Sequence, residues 1–187
     1  YYRSGETAVG YVELELHNRP NPLLNYYFRS AIKTGLTSTF LRLNLQANIY
    51  YQFSKKIKTK LRIWVGGFLD TTDLPPQYLT YLSGNIDPDF QNGYMFNRTS
   101  HLNDASIGIR QYDISGPSIH GLILQNGHIE GVNKWVMSCN FDISLPKVPV
   151  KPFIDFAMIE GNKVYYDFGF KKSFGPLMVI FPLYQSW

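Results

Sequence analysis

The chain has a single cysteine, Cys139, so it can form no internal disulfide and no cysteine-based metal site. Cys139 falls on an apolar face and reads as a small hydrophobe. Charged residues make up only 17% of the 187, below the usual quarter. No apolar run approaches the roughly 20 residues of a membrane-spanning helix; the longest is PLMVIFPLY at 176–184. The four histidines, His17, His101, His120 and His128, include no i, i+4 pair, and no phosphate-cradling glycine motif is present. Neither a metal nor a cofactor is expected. Although the net charge is +4 and the pI about 9.0, Lys and Arg are scattered and form no basic block, so no nucleic-acid partner is expected.

Aromatic residues, in contrast, reach 16%, with 14 Tyr and 13 Phe, which favour pleated, half-buried surfaces. Their setting is alternation. In TFLRLNLQANIYYQF, residues 39–53, Leu41, Leu43, Leu45, Ala47 and Ile49 oppose Arg42, Asn44, Gln46 and Asn48. The same period runs through 8–17, 25–36 and 57–69, joined by NRPNP, TST and SKK. Short links of this composition force an antiparallel meander.

The period stops over residues 70–104, which hold three prolines and two glycines and read as a long ordered loop packed on or into the sheet. Strand signals resume at 105–113, weakly at 118–124, and clearly at 134–145, where Trp135, Met137, Cys139, Phe141 and Ile143 oppose Ser138, Asn140, Asp142 and Ser144. PFIDFAMI, VYYDFGFKK and PLMVIFPLY follow, with turns near Gly161-Asn162 and Phe174-Gly175. The expectation is one all-β domain over 1–187, an antiparallel up-and-down barrel of eight to ten strands. The start at Tyr1-Tyr2, with neither Met nor a signal peptide, suggests a processed protein or a fragment, and the domain is expected to be the C-terminal part of a longer protein.

Period alone does not say which face looks inward. A soluble barrel buries its apolar face; an outer-membrane barrel turns it to lipid and lines the interior with polar groups. Strand length exceeds the globular mode of about 5 to 6 residues. Aromatics such as Tyr50, Tyr51, Phe53, Trp135, Tyr184 and Trp187 stand near strand ends, where interfacial girdles lie. These features favour the membrane arrangement. Glu13, Glu15, Arg29, Lys33, Arg42, Arg62, Asp155 and Asp167 are then the lumen-lining candidates, and Leu41, Leu43, Leu45, Ile49, Trp135, Met137 and Phe141 the lipid-facing ones. Asp155 and Asp167 would pair with Arg42 or Arg62, since a buried carboxylate needs a cation or several donors.

The segments NKWVMSCNFDISLP, KPFIDFAMIEG and YYDFGFKKSFGPLMVIFPLY resemble the closing strands of surface-antigen (Omp85-like) outer-membrane barrels. With SGNIDPDFQNGYMFNR before them, they are more similar still to the C-terminal tails of membrane-associated M1-family (gluzincin) aminopeptidases of Bacteroidetes. The resemblance covers about the last hundred residues. It implies a bacterial outer-membrane location, a lipid bilayer as partner, and an anchoring or scaffolding role for an upstream zinc peptidase domain or other envelope proteins. The HExxH motif of such a domain does not occur here. The terminal alternation departs from the usual outer-membrane pattern, because counting back by twos from Trp187 meets polar Gln185 before Leu183, Phe181, Val179 and Leu177, and Pro182 interrupts the ladder.

By the same resemblance, Arg98 in FNRT is the loop residue expected against the inner wall; an exposed surface loop is the competing reading. Ser118, His120 and Asp113 lie close in sequence and would suit a hydrolase, but a loop-edge histidine in water is the simpler expectation. No catalytic residue is assigned. Two other functions stay open: a soluble barrel or sandwich binding an apolar or carbohydrate ligand, and a pore or assembly barrel.

Overall fold

A computed structural model describes residues 9–18, 24–35, 40–71, 80–82, 117, 119–120, 131–132, 134–161, 163–174 and 177–186, and for Glu13, Arg29 and Lys33 it describes the backbone alone. The alternating segments form eight strands of one antiparallel sheet. In chain order they are β1 (Val9–Asn18), β2 (Leu24–Gly35), β3 (Phe40–Gln52) and β4 (Lys58–Thr71), and after a long connection β7 (Trp135–Ser144), β8 (Lys151–Ile159), β9 (Lys163–Phe174) and β10 (Leu177–Gln185). Within that connection β5 (Thr80–Tyr81) and β6 (Gly131–Val132) pair as a separate two-stranded ribbon. Every strand of the large sheet pairs with the next in this order, an up-and-down meander. Among the described residues no ladder joins β10 to β1, so the sheet is open.

The connection expected to begin at residue 70 begins after Thr71, since β4 runs through it. The weak strand signal at 118–124 fails where it is described: Ile119 and His120 are not in a strand. The signal at 105–113 lies outside the described residues.

Local chemistry closes the turns. At 53–57 the Phe53 N–H donates to the Ile57 carbonyl at 3.1 Å, and Ser54 Oγ accepts from the N–H groups of Lys56 and Ile57, each at 3.2 Å. The turn after β8 is made by Gly161 at φ 80°, a region where glycine has no Cβ penalty. The 53–57 and 145–150 links and the ends of β1 and β9 lie at one rim of the sheet. The start of β1, the end of β4, from which the long connection departs, and the end of β10 lie at the other.

Two register shifts adjust the faces. Between β3 and β4 the pairing passes from Arg42↔Phe68 to Leu41↔Asp70, leaving Leu69 as an extra residue. Between β9 and β10 it passes from Pro182↔Gly169 to Tyr184↔Phe168, leaving Leu183. The second shift accounts for the broken terminal alternation: it puts Gln185 opposite buried Asp167, and it places Pro182 at a bulge on an edge strand.

The buried face is the polar one. Along β3, Arg42, Asn44, Gln46 and Asn48 are buried, while Leu41, Leu43, Ala47 and Ile49 are half-buried and Leu45 is 37% exposed. Along β8, Asp155 is fully buried and Ile154 is 60% exposed. On β9, Asp167 and Lys171 are buried beside exposed Tyr166, Phe168 and Phe170. Six of the buried apolar residues make a smaller cluster on the same concave face: Trp64, Val136, Ala157 and Ile159 from the wall, with Leu82 and Ile119 from the long connection.

Candidate functional site

The register assembles a polar row across six neighbouring strands. Asn48 on β3 faces Arg62 on β4, which faces Asn140 on β7, then Asp155 on β8, Asp167 on β9 and Gln185 on β10. The first five of these residues are buried. Because side chains of a strand alternate, one aligned position per strand suffices to build a belt on one face. Arg62 Nη1 donates to Asn140 Oδ1 at 3.1 Å, and further along the same face of β3 Arg42 Nε donates to Asn44 Oδ1 at 3.1 Å. The Arg42 guanidinium also lies 5.5 Å from the Phe68 ring centroid.

Onto this belt the long connection lowers His120. Its backbone N–H donates to Asp155 Oδ2 at 2.5 Å, and its ring Nδ1 lies 2.6 Å from the same oxygen. Its Nε2 lies 2.8 Å from Lys171 Nζ, and Lys171 Nζ donates to Asp142 Oδ2 at 2.7 Å. The side chains of His120 and Asp155 are fully buried, and the imidazole packs against the Phe153 ring with centroids 4.5 Å apart. The partners assign the tautomer: Lys171 has only donors, so Nε2 accepts and Nδ1–H donates to Asp155. A chain of four groups results, carboxylate, imidazole, ammonium, carboxylate, running from β8 through the connection to β9 and β7.

This geometry corrects the expectation of a histidine in water at a loop edge. It also bears on the hydrolase idea: a base for a serine needs a free acceptor nitrogen, and Nε2 is already engaged by an ammonium group. Ser118 and Asp113 lie outside the described residues. What the arrangement does chemically is hold a crossing segment against the wall, because breaking either end strands a buried charge.

The expected residues distribute as follows. Arg42, Arg62, Asp155 and Asp167 lie on the concave face. The pairing expected for Asp155 differs, because its oxygen goes to His120 and Arg62 bonds Asn140. Glu15 is exposed and lies 3.5 Å from His17 Nε2. Glu13, Arg29 and Lys33 are placed by register only, opposite Ala31, Glu15 and Arg42 respectively. Trp135 is exposed on the convex face, where Met137 and Phe141 are half-buried. Arg98 lies outside the described residues. Sequence reasoning missed Lys171 and the buried role of His120. Lys171 shares the phase of Asp167 and Gly169, a signal that could have marked it.

The chain matches no known family model and no curated protein sequence.

Proposed function

We propose that these strands form the wall of a transmembrane β-barrel in the outer membrane of a Gram-negative bacterium, serving as an anchor or scaffold. The observation that carries this reading is the inverted polarity. Arginine, asparagine and aspartate side chains are buried, while Val12, Leu14, Leu16, Ile154, Phe181 and Leu183 are more than half exposed. In water, full burial of one such side chain is worth about 1.5–3 kcal/mol, and an apolar surface on this scale exceeds what monomeric soluble proteins present. Hydrocarbon on the convex face removes that cost. Strand lengths from 9 to 14 residues also suit the ~9 to 11 that cross a bilayer with tilt.

The open edges bear on the size of that barrel. Eight strands enclose an interior just wide enough for their own side chains. Here the concave face also holds Leu82, Ile119 and His120 from the long connection. In lipid the edges of β1 and β10, which end the sheet among the described residues, must be paired. A wall of more than eight strands meets both needs, and since β1 and β10 run in opposite directions, the added strands come in an even number.

The resemblance of the C-terminal segments to the tails of M1-family peptidases extends the proposal to the cargo: a metallopeptidase domain held at the membrane. The gene sequence preceding Tyr1 tests it, with an HExxH motif expected there. The membrane reading is tested by spin labels and a lipid-soluble quencher. Labels at Leu43, Val65 and Ile154 are expected to be quenched and those at Asn44, Arg62 and Asn140 protected; equal protection of both sets overturns the reading.

A further inference from the structure

The convex face carries a groove of ≈ 250 Å³ between β3, β4 and β7. Its floor exists because Gly67 has no side chain: a Cβ there would meet the Lys134 carbonyl at 2.6 Å and Trp135 Cβ at 3.2 Å. Glycine lets β7 begin tight against β4, with the Phe68 N–H donating to the Lys134 carbonyl at 2.6 Å. The register sets Leu43, Gly67 and Trp135 in one row across the three strands, and Leu45, Val65 and Met137 in the next. The dent therefore runs along the strands, from Leu45 and Val65 toward the rim. At the rim it ends between Leu69, the bulged residue, and the exposed Lys134 beside Trp135.

We propose that this groove binds one acyl chain of an anionic diacyl glycerophospholipid, with the lipid phosphate on Lys134; the proposal rests on the membrane reading. The apolar walls accept a chain lying parallel to the strands. The cation sits at the strand end, where the headgroup layer begins, and the adjacent Trp135 is the residue type that prefers that depth. One groove of ≈ 250 Å³ with one lysine in its lining matches a lipid with one headgroup phosphate better than a multi-chain, bisphosphorylated glycolipid.

Photolabelling of the protein in vesicles tests the site, using phosphatidylglycerol with a diazirine on one acyl chain. Labelling is expected to concentrate on Leu43, Val65, Leu69 and Trp135 relative to Ile154 and Phe168 elsewhere on the convex face. Lys134→Gln should lower that excess roughly fivefold for phosphatidylglycerol and leave a phosphatidylcholine probe unchanged. Leu43→Trp, which fills the groove without touching the lysine, should lower labelling by both probes. Uniform labelling of the convex face, an excess that survives Lys134→Gln, or preference for a lipid A probe overturns the proposal while leaving the membrane reading intact. Failure of the protein to float with the vesicles overturns both.

Discussion

Asp155 and His120, 35 residues apart, share one oxygen: Oδ2 takes the backbone N–H at 2.5 Å and stands 2.6 Å from the ring Nδ1. A single carboxylate thereby fixes both the backbone of His120 and the orientation of its imidazole.

Asp155→Ala should lower stability by about 1–3 kcal/mol, because it leaves the backbone N–H and the ring Nδ1–H of His120 without their acceptor in a buried site. His120→Ala alone should cost less, and the double variant should cost clearly less than the sum of the two. Unfolding midpoints in urea measure all three. Strict additivity would show that the contact carries no coupling.

The second carboxylate gives an independent check. Lys171→Met strands Asp142, which is mostly buried, and should destabilise by roughly 3–5 kcal/mol. Adding Asp142→Asn should restore much of that loss, since removing both charges avoids an uncompensated one. If the double variant is worse than the single one, the ion pair is not what holds β7 and β9 at this point.

Gly66 sits under Trp64. A Cβ at residue 66 would overlap the indole ring and stand 2.5 Å from Asn44 Oδ1. Gly66→Ala should therefore cost about 1–3 kcal/mol by overpacking, and Trp64→Phe in the same chain should relieve part of it. The comparison is again by unfolding midpoint, with Trp64→Phe alone as the reference.

Ile154 separates lipid from water more sharply than any core position. At 60% exposure, Ile154→Arg in an aqueous protein should change stability by no more than about 0.5 kcal/mol. On a lipid-facing wall near the bilayer midplane the same change costs about 2–4 kcal/mol. Refolding yield and unfolding in vesicles, measured against wild type, decide between them.

The strands were legible because each carries its own period. TFLRLNLQANIYYQF needs no partner to announce β3, and the observed Phe40–Gln52 lies one residue inside each end. The two bulges were not legible: Leu69 and Leu183 look like any apolar strand residue, and only pairing across the sheet makes them extra. His120 was misread for a related reason. A histidine between Ile119 and Gly121 carries no local sign of burial, because its partners are fixed by a register formed 35 residues later. Asp155 was legible as a buried carboxylate among apolar neighbours, yet its partner was assigned to arginine, the commoner solution. Lys171 was missed although it shares the phase of Asp167: two adjacent lysines, Lys171 and Lys172, carry no local sign of which one turns inward.

The rim from which the long connection departs also holds the first residue of β1 and the last of β10. On the membrane reading proposed above, sidedness follows: reporters fused just before Val9 and just after Gln185 are expected in the same compartment, so that a protease added to intact cells removes both or neither. A site introduced into the 53–57 turn is cut from the opposite side.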